Sequence, residues 1–368
     1  MKTKQKNQRN YEDCDDDSKY GIRSKHDTVS ATGQLWSLQL TDIVDKAEGL
    51  LPAIYKVRGF DDATVDQQLH QSIEQISQEG LFDVEAAAKE IIQTVKNNKK
   101  IIIYGDFDAD GISATTILWE FLYREVSEFL DMPVNVVPYI PSRIDEGYGL
   151  SEKSIRKLID LEGDLVVTVD CGIRDRSLIK KFGQKKQLNA VKEQETNNAI
   201  EETTGVSFII TDHHEFPDGL AGDHDYTIVH QAYPEREFAC TKICGATVAF
   251  LLSVEIRKQL GMPNANITDD TPGLDLVALA TVTDIMPLLD MNRPLVKAGL
   301  EQIKKARRLG LAELLKVAEV EPQAVSTYHL GYVIGPRINA AGRIGDALDA
   351  VRLLSTRSKR QQSNWRRN

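Results

Sequence analysis

The stretch Ile101-Ile102-Ile103-Tyr104-Gly105-Asp106-Phe107-Asp108-Ala109-Asp110-Gly111-Ile112-Ser113 constrains the fold of this chain more than any other. Three isoleucines make a short apolar run of the kind that forms a buried strand, and polar residues begin abruptly where it ends. The chain turns at Gly111 and continues at helical spacing through Ala114, Ile117, Leu118 and Phe121. A strand that feeds an acidic turn and then a helix puts its polar tip at the carboxyl edge of an α/β sheet, where such folds bind ligands. Carboxylates at i, i+2 and i+4 crowd that edge and repel one another, so hydrogen-bond donors or divalent cations are needed to hold them together. Asp106-x-Asp108-x-Asp110-Gly111 also matches the first half of an EF-hand loop, but the position that requires Glu is Ile117, and a strand precedes the loop. The calcium reading fails on both counts, and a merely polar turn is the plain alternative.

Later segments repeat the arrangement. Residues 134–140 form a second apolar strand, followed by a loop, 141–150, in which Arg143 precedes a Tyr148 flanked by Gly147 and Gly149. Such a loop suits close backbone approach and a bidentate phosphate contact, or is a plain surface turn. A helix over 151–159 leads to a strand over 165–169 that ends in Asp170-Cys171-Gly172, and a strand over 207–211 ends in Asp212-His213-His214-Glu215. Adjacent histidines behind an Asp, after two carboxylate-tipped strands, are hard to explain as structural residues. Strand alternating with helix predicts an α/β fold with a doubly wound, mainly parallel sheet, its acidic and imidazole tips along one rim. Further on, the pattern predicts a short strand over 226–230, helices over 246–260 and 275–288 (stopped by Pro287), and one or two helices over 298–317. Asp284 lies among apolar neighbours, where an unpaired carboxylate is costly, and calls for a cationic partner. Residues 335–345 set Arg337, Asn339 and Arg343 among small residues, the composition of an anion pocket.

At 368 residues, 41% hydrophobic and 27% charged, the chain has room for two or more domains with ordinary globular cores. No run approaches the ~18 apolar residues of a membrane span and no signal-peptide core opens the sequence, so a cytoplasmic location is expected. Cys14, Cys171, Cys240 and Cys244 are irregularly spaced, as reduced thiols are; Cys240-x-x-x-Cys244 lacks the second ligand pair of a zinc site. A net charge of -10 does not by itself suggest a nucleic-acid partner, although basic clusters occur at 96–100, 180–186, 304–308 and 357–367, each readable as a solvated face. The expected organisation is a disordered leader (1–33), a helical preface (34–98), an α/β domain (99–310) with a surface insertion at 181–205, a helical end (311–354) and a basic tail (355–368).

Tyr104-Gly105-Asp106-Phe107-Asp108-Ala109-Asp110-Gly111, Val169-Asp170-Cys171-Gly172, Thr211-Asp212-His213-His214-Glu215 and Ala280-Thr281-Val282-Thr283-Asp284 resemble the four motifs of the DHH phosphoesterase superfamily. Residues 141–150, 274–289 with Asn292-Arg293, and 337–343 resemble its single-strand-specific 5′→3′ DNA exonuclease branch. The likeness runs from about Gly59 to Leu354. It implies two Mn²⁺ or Mg²⁺ ions held by Asp108, Asp110, Asp170, His213 and Asp284, with Asp170 as bridge, an oxygen-and-imidazole set that suits Mn²⁺. It further implies that His214 faces the scissile phosphate, that Asp106 supports the first loop, and that Arg143 and Arg343, with Asn339 beside them, grip backbone or 5′-terminal phosphates. The implied partner is single-stranded DNA, in repair or recombination, with a single-strand-binding protein or helicase nearby, no membrane, and a monomeric chain. Family members often carry His at the position of Tyr104, though Tyr is also common there, so a metal shell with one imidazole fewer is expected. Members of this branch continue past the equivalent of Asn368 into a DHH-associated domain with a Gly-Gly motif and an OB-fold; no Gly-Gly pair occurs in these 368 residues, and a shortened chain is expected. Competing readings are a DHH-type phosphatase or phosphodiesterase of short oligonucleotides or small phosphate esters, and a truncated, non-catalytic binding protein.

Overall fold

A computed structural model describes residues 28–29, 35–36, 54–55, 58–183, 205–222, 224–234 and 236–357. The chain divides into two compact units, 1–70 and 71–368. In the first, strands β1 (Thr28–Val29) and β2 (Leu35–Trp36) pair antiparallel, and helix α1 spans Asp62–His70. The sequence reading placed the first of these strands in the leader and the second in the helical preface. Thr, Val, Leu and Trp on either side of a Ser/Thr/Gly-rich stretch favour a hairpin instead. The rest of the expected leader, most of the expected insertion and nearly all of the basic tail lie outside the described residues.

The second unit has α2 (Val84–Lys96) as its first α-helix and is built on five parallel strands: β3 (Ile101–Gly105), β4 (Val136–Tyr139), β5 (Leu165–Val169), β6 (Ser207–Asp212) and β7 (Thr227–His230). Their order across the sheet is β4-β3-β5-β6-β7. Helix α3 (Ala109–Glu120) connects β3 to β4, α4 (Glu152–Asp160) connects β4 to β5, and α5 (Arg176–Phe182) follows β5. The α/β, doubly wound, parallel fold expected from the sequence is the fold observed.

Strand alternation divides the core. Ile101 and Ile103 face one layer with Val167, Ile209 and α2, whereas Ile102 and Tyr104 face the other with Val166, Ile210 and Ile155 and Leu158 of α4. Both faces are covered, which is why β3 and β5 are buried throughout and read as unbroken apolar runs. The first layer is completed by α6 (Gly245–Leu260), α7 (Leu274–Thr283), α8 (Asn292–Lys304) and α9 (Leu309–Val317), and then by α10 (Gly335–Ile344) and α11 (Ala347–Leu354). Helix α7 stops short of the expected Pro287: Asp284 is its C-cap, and Ile285 leaves in the left-handed region at φ 58°.

Because β5 inserts beside β3 on the side away from β4, the crossovers leave β3 and β5 in opposite directions. The carboxyl ends of these two neighbours therefore open a crevice, the topological switch point at which α/β sheets bind ligands.

Candidate metal centre

Everything at the end of β3 is fixed by close packing. A Cβ on Gly105 would come 1.9 Å from Thr115 Oγ1, and one on Gly111 would come 2.6 Å from the Asp106 carbonyl oxygen. Asp108 is the N-cap of α3; its Oδ1 accepts from the backbone N–H groups of Asp110 and Gly111, both at 3.0 Å. Asp110 is 2% exposed and takes two further N–H groups, from Gly245 (2.7 Å, Oδ2) and Ala246 (2.7 Å, Oδ1), at the first turn of α6. A helix N-terminus thus presents its unpaired donors to a carboxylate, an arrangement its dipole favours.

Asp170 follows β5 in the left-handed region at φ 62° and is 2% exposed. Its Oδ1 accepts no hydrogen bond of proper geometry, although His213 Nε2 stands 3.0 Å away. The same Nε2 lies 3.5 Å from Asp110 Oδ2 and 3.6 Å from Asp284 Oδ2. His214 turns the other way. Its Nδ1 is 2.7 Å from Asp212 Oδ1, an oxygen that also accepts the backbone N–H groups of His213 and His214, while Oδ2 accepts from Ile173 N at 2.9 Å. At the end of β7, Gln231 Nε2 donates to the His213 carbonyl at 2.6 Å and His230 Nε2 to the His214 carbonyl at 2.8 Å, so side chains hold both carbonyls of the pair.

The electrostatics follow the geometry. Burial, aided by the charge of Asp108, pushes Asp106 up to about 7, and burial with the charge of Asp110 pushes Asp284 up to about 6. Asp170 is raised well above the usual carboxylate range, again by burial first and Asp110 second. Asp212 goes down instead: burial would raise it, but its hydrogen bond to His214, the imidazole's charge and the backbone donors outweigh that. His214 is raised, chiefly by its hydrogen bond to Asp212.

Side-chain atoms within 4.8 Å of one another form the sets Asp106–Asp108–Asp170, Asp110–His213–Asp284 and Asp170–His213–His214. All of Asp108, Asp110, Asp170, His213 and Asp284 are brought together, and Asp170 belongs to two sets. Asp106, expected to support the first loop, puts its own carboxylate into the cluster. Oxygens Asp106 Oδ1, Asp170 Oδ1 and Asp284 Oδ2 are buried with no hydrogen-bond partner. Hard oxygens left without hydrogen-bond partners, in sets that also offer an imidazole, have the donor chemistry that fits Mn²⁺ or Mg²⁺.

The expected phosphate-binding residues are placed less uniformly. Arg143 is exposed with its guanidinium 5.0 Å from the centre of the Phe107 ring, and it lines a cavity of about 380 Å³ together with Lys157 and Gly342. Arg343 is exposed in the last turn of α10. Asn339 Oδ1 accepts from Ala109 N at 2.6 Å, capping an orphan donor of α3, so this amide oxygen braces the first acidic turn. Two residues escaped the sequence reading as site members. Tyr148, between its glycines, brings its hydroxyl 3.3 Å from His214 Nε2, and Asp212 orients His214; an aromatic in a Gly-x-Gly loop and an Asp two residues before a His were the available signals. Tyr104 takes no part in the cluster: its hydroxyl donates to the Gly149 carbonyl at 2.7 Å.

Fold and site define a class, and the comparisons agree with it. Residues 100–281 match the model of the DHH family, N-terminal domain. Over a longer stretch it is similar to the single-stranded-DNA-specific exonuclease RecJ. It is 31% identical to that of Bacillus subtilis over 345 residues (88% of this chain, 38% of the relative). It is 34% identical to that of Thermus thermophilus over 278 residues (73% and 34%). Among solved structures, exonuclease RecJ bound to manganese superposes with a TM-score of 0.62 at 30% identity, covering 78% of this chain and 65% of that one. RecJ of Thermus thermophilus in complex with Mg²⁺ gives 0.52 at 27% identity, covering 81% and 35%. The chain thus spans little more than a third of the length of these two curated relatives.

Proposed function

We propose that this chain is a metal-dependent exonuclease that hydrolyses phosphodiester bonds of single-stranded DNA from the 5′ end. The observation that carries the reading is the Asp170 carboxylate, shared by two ligand sets at the switch point and left with an unpaired buried oxygen. Asp108, Asp110, Asp170, His213 and Asp284, joined by Asp106, would hold two Mn²⁺ or Mg²⁺ ions, Asp170 being the carboxylate that belongs to two of the ligand sets. When bound, such a pair lowers the pKa of water and neutralises charge on the scissile phosphate. The chain's own groups do the rest. Backbone N–H groups of α6 fix Asp110, and Asp212 fixes the His214 imidazole so that its Nε2 faces the phosphate. Arg143 and Arg343 grip backbone or 5′-terminal phosphates, the former with its planar fork set over Phe107.

This reading takes 99–310 as the DHH phosphoesterase domain and 311–354 as its helical end. It places the protein in the cytoplasm in DNA repair or recombination, acting as a monomer on strands exposed by a helicase or carried by a single-strand-binding protein; no helix among the described residues is long and apolar enough to cross a membrane. Purified protein with Mn²⁺ and an end-labelled, 5′-phosphorylated oligonucleotide is expected to release 5′-mononucleotides, and Asp170→Ala to release none. An intact oligonucleotide after incubation with protein shown by calorimetry to bind Mn²⁺ overturns the proposal.

A further inference from the structure

Tyr104 and Tyr139 stand directly opposite each other on the parallel strands β3 and β4, and their rings stack at 5.5 Å between centroids with 14° between planes. Both hydroxyls reach out of the sheet to the same loop. Tyr104 donates to the Gly149 carbonyl at 2.7 Å; Tyr139 donates to Glu146 Oε2 at 2.7 Å, and Lys157 of α4 holds the other oxygen of that carboxylate. Asp175 Oδ2 adds a third fastening by accepting from Leu150 N at 2.8 Å. The fastened points bracket Gly147, Tyr148 and Gly149, whose glycines sit at φ +81° and +71°. Two left-handed glycines make a turn with little stiffness of its own. Yet Tyr148, 55% exposed, stands with its hydroxyl against His214 and its ring edge-on to Phe107. The fastenings on either side hold its backbone beneath those contacts.

We propose that the stacked Tyr104–Tyr139 pair is a positioning brace, which fixes the 146–149 turn so that Tyr148 is kept at His214 where the 5′-terminal nucleotide of a single strand enters. The pair touches neither the carboxylate cluster nor, on this geometry, the strand; it acts through Tyr148. The substrate part of this inference rests on the exonuclease reading. It also accounts for Tyr104 at the head of the acidic motif: the residue points to the opposite face of the sheet and serves the loop rather than the metal shell.

Tyr104→Phe and Tyr139→Phe keep the rings and the core volume and remove only the two donors. In hydrogen–deuterium exchange, amides of 145–150 are expected to exchange about 5-fold faster in each variant, the effect of losing one hydrogen bond, with the rest of the sheet unchanged. In cleavage of a 5′-phosphorylated single strand, KM is expected to rise about 5-fold, with kcat and calorimetric Mn²⁺ affinity within about twofold of the parent. In a Tyr148→Ala background, adding Tyr104→Phe is expected to leave KM unchanged, because the brace then has nothing to position. Unchanged exchange in 145–150 overturns the brace, and so does faster exchange with an unmoved KM or a KM effect that persists without Tyr148. If the parent protein cleaves nothing while binding Mn²⁺, it is the exonuclease reading that has failed, and the exchange comparison alone then upholds or overturns the brace.

Discussion

Asp170 and Asp212 occupy equivalent places at the ends of neighbouring strands and are equally buried, yet their surroundings drive them apart. Asp212 is saturated with donors and held low; Asp170 has an oxygen without a hydrogen-bond partner and neighbours of like charge that hold it high. Removing each charge should therefore do opposite things. Asp170→Asn relieves repulsion in the metal-free protein and is expected to raise Tm by about 2–4 °C, the shift of a ~1 kcal/mol gain. The same change should abolish the further rise that Mn²⁺ gives the parent in differential scanning fluorimetry. Asp212→Asn removes the charged acceptor that orients His214, and steady-state cleavage assays are expected to show activity 10–100-fold lower, in the range of lost supporting contacts around metal sites. The residue types and their spacing were readable because acidic and imidazole groups at the ends of apolar runs are a local signal. Asp106 was readable as one of the three crowded carboxylates; that its carboxylate meets Asp108 and Asp170 depends on the turn that Gly105 and Gly111 permit.

At the scale of elements, α6 does more than cover the sheet: its first turn lies so close to Asp170 that a Cβ on Gly245 would come 2.6 Å from the Asp170 Cβ. Gly245→Ala must push the helix end away and loosen both N–H bonds to Asp110. A loss of about 1–3 kcal/mol, typical of overpacking, is expected in urea unfolding, together with weaker Mn²⁺ binding by calorimetry. Arg308 ties the far ends of three helices. It reaches Asp275 of α7 at 2.5 Å, Glu120 of α3 at 2.8 Å and the Leu354 carbonyl of α11 at 2.7 Å. Arg308→Ala strands two largely buried carboxylates, and the urea midpoint should fall by the equivalent of about 3–5 kcal/mol. The run at 304–308 read as a solvated basic face; its last member is instead the centre of a buried ion network. Composition could not separate the two, because a charge run looks the same whether or not distant acids fold onto it.

For the α/β unit as a whole, a cation bound only by the folded chain adds stability in proportion to its excess over Kd. About 2.7 kcal/mol is expected at a Mn²⁺ concentration 100-fold above Kd, removable by a chelator and measurable as a reversible Tm shift. The strands, their polar tips, the α/β class and the identity of the clustering residues were already determined by the sequence, because a buried parallel strand and its abrupt polar end are written within five or six consecutive residues. What only the tertiary structure decided is which tips share a crevice and which way each side chain on them points. Strand order places β5 next to β3 and β6 and so brings Asp170 between the acidic turn after β3 and the histidine pair after β6. Strand alternation sends Tyr104 to the loop side, and the docking of α10 turns Asn339 onto α3. Each of these depends on contacts between residues tens to hundreds of positions apart, and no local pattern carries them.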